Sequence, residues 1–88
     1  MRVVWSPAAL LEILGIHNYI AGDNPRAATR LADALLNLGD SLESFPHRGR
    51  PVGDDLRELV AIPPYIIRYE IVGDEVIILR VRHGARRP

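Results

Sequence analysis

Arg68, Arg80, Arg82 and His83, near the end of this 88-residue chain, are the side chains best suited to chemistry on a phosphate. Metal-free cleavage of RNA needs a base for the 2′-hydroxyl, an acid for the leaving oxygen and cations for the charge that builds on phosphorus. In such a reaction the arginines would stabilise the phosphate charge and His83 would move a proton. The same row, extended by Arg86, could instead grip a partner's carboxylates or phosphates through paired N–H bonds without breaking any bond. No motif in the chain fixes the geometry of either option. His17, His47 and His83 have no third ligand at metal-site spacing, and there is no cysteine, so no metal is expected. No phosphate-cradling glycine loop or nucleophile elbow is present, and no cofactor is expected.

Composition narrows the setting. Eleven basic residues, all arginine, balance eleven acidic ones, and 48% of the chain is hydrophobic, as in an ordinary globular protein. Residues 1–44 carry three arginines against five acids, a net of −2; residues 45–88 carry eight against six, a net of +2. Residues 80–88 contain four arginines and no acid. A neutral chain has little long-range attraction for nucleic acid, so DNA contact is expected only indirectly, through a partner. Eighty-eight residues suit one domain, 1–88. The absence of cysteine suits a reducing cytoplasm, and no apolar run approaches the ~20 residues of a membrane span.

Local signals place these groups on elements. Arg2 to Trp5 reads as a strand, and Ser6-Pro7 as an N-cap followed by proline at the first helical position. The first helix runs to Gly22; Asn24-Pro25 starts a second, whose Ala28, Leu31, Leu35, Leu38 and Leu42 form an apolar face, with Pro46 as its stop. The pair is expected to fold back as an antiparallel hairpin. Gly15 is expected at a close helix approach and Gly39 at a fraying helix end. Residues 45–55 read as a loop, and Leu56–Ile62, Tyr65–Val72 and Glu75–Arg82 as three strands, the last two joined by Gly73-Asp74. The expected fold is therefore α+β: an N-terminal strand, a helix hairpin and a three-stranded antiparallel sheet.

If Val72 lies opposite Glu75, strict alternation puts Tyr65, Ile67, Tyr69, Ile71, Val76, Ile78, Arg80 and Arg82 on one sheet face. Ile66, Arg68, Glu70, Ile77, Leu79, Val81 and His83 fall on the other, which is the expected helix-facing side. On the first face Tyr65 would pair with Arg82 and Ile67 with Arg80; a one-residue bulge would reverse the assignment.

Several segments resemble the RelE/ParE toxin superfamily, in order and over essentially the whole chain. They are Trp5-Ser6-Pro7-Ala8-Ala9, the Tyr19 to Ala28 joint, Phe45-Pro46-His47-Arg48-Gly49-Arg50, Leu56-Arg57-Glu58-Leu59, Pro64 to Tyr69, and Ile78 to Arg86. The resemblance is to the ParE, or plasmid-stabilisation, branch. It implies the toxin of a type II toxin–antitoxin pair, bound and silenced by a ParD-like antitoxin, with DNA gyrase as the target. RelE-like members instead cleave mRNA on the ribosome. In those nucleases an arginine often stands where this chain has Ile66, and a C-terminal pair of catalytic side chains is reduced here to His83 followed by Gly84-Ala85. The expected reading is accordingly gyrase inhibition by protein binding, with Arg80, Arg82, His83 and Arg86 on the target and Trp5, Leu11, Tyr65 and Tyr69 on the antitoxin. The alternative is a ribosome-dependent mRNA endonuclease using Arg68, Arg80, Arg82 and His83.

Overall fold

In a computed structural model, which describes residues 1–84, the chain forms β1 (Arg2–Trp5), α1 (Pro7–Ala21), α2 (Pro25–Asp40), a 3-10 turn (Ser41–Glu43), β2 (Arg50–Gly53), β3 (Leu56–Ile62), β4 (Tyr65–Val72) and β5 (Glu75–His83). Each helix begins as its cap predicts. Ser6 Oγ accepts from the Ala9 N–H at 3.0 Å and Asn24 Oδ1 from the Ala27 N–H at 3.1 Å, with proline in the first turn each time. Gly73 turns the last hairpin with φ +60°, where glycine carries no Cβ penalty, and Val72 lies opposite Glu75.

The sheet has five strands in the order β1-β5-β4-β3-β2. β1 runs parallel to β5, and the other neighbours are antiparallel. The loop expected over 45–55 thus contains a strand, β2. Its residues Arg50 and Pro51 lie opposite Glu58 and Arg57, and the proline sits on the sheet's outermost strand.

The expected sheet faces are corrected twice: the helices pack on the face of Ile67, Tyr69, Val76 and Ile78, not on the one expected, and a bulge shifts the end of β5. Arg68 lies opposite Arg80, but Tyr69 lies opposite Ile78, so Leu79 is an inserted residue. Ile67, Tyr69, Val76, Ile78 and Val81 are buried in one core with Leu59 and with Ala9, Ile13, Leu35 and Leu42 from the helical segment. The helix-facing set is therefore Ile67, Tyr69, Val76 and Ile78 before the bulge and Val81 after it. Tyr65 pairs with His83 and Ile67 with Val81, not with Arg82 and Arg80.

Neither helix-interior glycine has the role expected of it. A Cβ on Gly39 would lie 2.3 and 2.5 Å from Trp5 ring carbons and 2.8 Å from Ile78 Cδ1, so this glycine is the seat of the indole. Trp5 Nε1 donates to Asp40 Oδ1 at 2.9 Å, which fixes the ring across α2. A Cβ on Gly15 would meet nothing within 4 Å. α1 buries Ala9 and Ile13 but leaves Leu10, Leu11 and Leu14 exposed, Leu11 at 67%. No helix among the described residues is long and apolar enough to cross a membrane.

Candidate functional site

On the sheet face away from the helices, the register brings three arginines around one acid. Arg50, Glu58 and Arg68 occupy directly opposed positions on β2, β3 and β4. Arg68 donates to Glu58 Oε2 from Nε at 3.1 Å and from Nη2 at 2.7 Å. Arg82 reaches the same oxygen at 3.5 Å and Arg50 reaches Oε1 at 3.5 Å. Glu58 is only 6% exposed. The hydrogen bonds from Arg68 hold its carboxyl below the ordinary carboxylate range against the opposing effect of burial, with Arg82 adding to the lowering. Three cations around one anion leave a surplus of two positive charges. Such a patch orients planar donors towards an anion or an acidic surface.

Arg80, although it lies opposite Arg68 in the sheet, is drawn instead to α1. Its Nε lies 3.0 Å from both oxygens of Glu12 on α1, and its Nη2 lies 2.8 Å from Oε2. Glu12 Oε1 also accepts from the Val81 N–H at 2.9 Å, so a side chain occupies the position of a neighbouring strand. Next to this pair a cleft of about 560 Å³ opens between α1 and the end of β5. Gly15, Ile16 and Ile20 line its helix side, and the rings of Tyr65 and His83 stand edge to face at 5.4 Å on the sheet side.

The residues expected to act together are therefore divided. Arg68 and Arg82 share Glu58, whereas Arg80 is bound to Glu12 and His83 packs on Tyr65; Arg80, Arg82 and His83 line the same cleft, and Arg68 does not. Arg86 lies outside the described residues. Of the residues expected to meet an antitoxin, Leu11 is exposed and Tyr65 half-buried in the cleft, while Trp5 is engaged in the β1–α2 joint. Tyr69 is fully buried and presents no surface to a partner, because the helices pack on the face it shares with Ile67, Val76 and Ile78 and not on the face expected. Its hydroxyl donates to the Pro46 carbonyl at 2.7 Å and accepts from the Gly49 N–H at 2.8 Å. Arg57 donates to the carbonyls of His47 and Gly49, so two side chains pin the 46–49 loop and leave Phe45 exposed beside it. A Cβ on Gly49 would lie 2.8 Å from the Tyr69 ring, which accounts for glycine in that loop.

Glu58, Glu12 and Gly15 were not singled out from the sequence as site residues. Glu58 alternates correctly with Leu59 in its strand, but its partners come from β2, β4 and β5, and only the register unites them. The signal for Gly15 was its cost of ~1 kcal/mol in a helix interior, which the structure leaves without a packing reason.

The model of the ParE toxin of type II toxin–antitoxin system, parDE, matches residues 3–88. The chain is 46% identical over 85 residues to Toxin RelE2 of Caulobacter vibrioides, covering 97% of each protein. It is 42% identical to the putative toxin Y4kP of Sinorhizobium fredii, covering 94% of this chain and 88% of that one. A chromosomal ParDE toxin–antitoxin system from P. aeruginosa superposes with a TM-score of 0.83 at 20% identity, covering 94% of this chain and 95% of that one, and shares its fold.

Proposed function

The chain belongs to the ParE toxin family of type II toxin–antitoxin systems, and from that premise we propose that it arrests growth by binding DNA gyrase, and that a ParD-like antitoxin neutralises it. The observation that supports binding over bond cleavage is the division of the candidate catalytic groups. A phosphodiester in the cleft lined by Arg80, Arg82 and His83 would not meet Arg68, and Arg80 and Arg82 are each engaged there by a carboxylate, Glu12 and Glu58. In this reading Arg80, Arg82, His83 and Arg86 form the target-binding segment, acting by charge and hydrogen bonding. Leu11, with Leu10 and Leu14, belongs to an apolar helix surface that the antitoxin covers.

A second reading, cleavage of mRNA on the ribosome, draws on the cationic surplus around Glu58 and on the RelE name of the Caulobacter relative. Pulse-labelling of DNA and protein synthesis after induction without antitoxin separates the two. Early loss of DNA synthesis, together with inhibition of supercoiling by purified gyrase, is expected. Early loss of translation with cut messenger, while gyrase works normally in excess folded toxin, would replace the first reading with the second.

A further inference from the structure

The edge of β5 changes partner at one point. β1 pairs with β5 only from Glu75 to Ile78. Chain entry into α1 then takes over: the Ser6 N–H donates to the Ile78 carbonyl, and Ser6 Oγ donates to the Leu79 carbonyl. Beyond that, Glu12 is bonded to the Val81 N–H and to the Arg80 guanidinium. A carboxylate on an α-helix is thus doing what a neighbouring chain would do at a sheet edge, while also neutralising the arginine that the bulge points out of the sheet.

One helical turn after Glu12, on the same side of α1, stands Gly15. It opens onto the cleft and has nothing within 4 Å of its Cβ position. A glycine in a helix interior lowers stability by ~1 kcal/mol relative to alanine, and no packing among the described residues offsets that. The missing side chain does keep the groove open at its middle. Ile16 and Ile20 give the groove an apolar helix wall, and Arg80 with Arg82 gives it a cationic end.

From these features we propose that Glu12 is an internal stand-in for a carboxylate of the antitoxin. An extended antitoxin segment lies along α1 over Gly15, with an apolar side chain against Ile16 and Ile20. An Asp or Glu of that segment takes over Arg80 and the Val81 N–H from Glu12. The occupant follows from charge complementarity: Arg80, already bound to a carboxylate by more than one N–H bond, lies with Arg82 at the end of an apolar groove, beside the stretch of β5 that β1 leaves unpaired. The proposal rests on the toxin–antitoxin reading above. It also gives that reading a means of silencing, since the antitoxin would cover Arg80, one of the proposed target contacts.

The test uses the two halves of one ion pair. Affinity of the purified toxin for the antitoxin encoded beside it is measured by biolayer interferometry for wild type, Glu12→Gln, Arg80→Gln and Gly15→Leu, with Tm recorded for each. Glu12→Gln keeps an acceptor for the Val81 N–H and removes the competitor, so binding is expected to tighten about threefold or more. Arg80→Gln removes the contact and is expected to weaken binding about tenfold or more. Gly15→Leu fills the groove from a position with free space; its Tm is expected to hold or rise while affinity falls about tenfold or more. A merely structural ion pair would shift affinity in the same direction for both of its variants, and that result overturns the proposal. So does a Gly15→Leu toxin that binds within about twofold of wild type, or a groove already filled by a second copy of the chain, seen as a wild-type dimer that Gly15→Leu splits. Wild type failing to bind the antitoxin at all would remove both this proposal and the antitoxin part of the preceding reading. Wrong signs with wild-type binding intact would remove only the groove.

Discussion

Replacing each helix-interior glycine by alanine is expected to move stability in opposite directions. Both substitutions gain helix propensity, worth about 1 kcal/mol. At Gly15 nothing opposes the gain, because the new Cβ meets nothing within 4 Å. At Gly39 the new Cβ would stand 2.3 Å from a Trp5 ring carbon and 2.8 Å from Ile78 Cδ1. Ile78 is fully buried, and the indole is tied to Asp40 on the residue next to the substitution, so neither has an easy retreat. Overpacking of this kind costs about 1–3 kcal/mol, and disturbing the Trp5–Asp40 hydrogen bond adds up to about 1 kcal/mol. Gly39→Ala should therefore lose about 0–3 kcal/mol net, with about 1–2 kcal/mol at the middle of that range, whereas Gly15→Ala should gain up to about 1 kcal/mol. For a domain of this size the Tm would fall by roughly 5–15 °C at the middle of the range in the first case and rise by roughly 4–8 °C in the second. Trp5 is the sole tryptophan, so guanidinium unfolding followed by its fluorescence reads the affected site directly. The native emission should shift for Gly39→Ala and stay unchanged for Gly15→Ala. A Gly39→Ala protein as stable as wild type, with unaltered emission, would refute the seating of the indole on α2.

Two further outcomes follow from buried polar contacts. Tyr69→Phe removes the acceptor of the Gly49 N–H and the donor to the Pro46 carbonyl; unfolding midpoints should fall by the equivalent of about 1–3 kcal/mol, and the Gly49 amide should exchange faster. Unchanged exchange at Gly49 would show that the tyrosine does not hold the loop. Glu58 has a folded-state pKa below its unfolded value, so its stabilising effect is present above the ordinary carboxylate range and is lost as pH falls through the folded value. Glu58→Gln should accordingly be less stable than wild type at about pH 7, and the gap should narrow in acid. Urea midpoints across that range check this, and a gap independent of pH would place the effect in packing instead of charge.

Much of the fold is written in short-range signals. Ser6-Pro7 and Asn24-Pro25 start both helices where they are found, because a cap and a fixed proline φ act within one turn. Gly73 sets the last hairpin and its Val72–Glu75 register for an equally local reason. Strand β2 was not legible, since Arg50-Pro51-Val52-Gly53 has the composition of a loop and becomes a strand only because β3 lies beside it.

By itself the sequence determined the element order, the helix starts, the exposed charge of the C-terminal strand and, through motifs kept in order, the toxin superfamily resembled. The tertiary structure decided which side of the sheet each arginine serves. Strand alternation has a period of two, so the single inserted Leu79 moves Val81 into the core and takes Arg80 and Arg82 out of it, and packing of α1 against β5 then supplies Glu12 to Arg80. Glu12 and Arg80 are 68 positions apart and Glu58 and Arg82 are 24 apart; such pairings are set by sheet register and helix packing, which local sequence patterns do not encode.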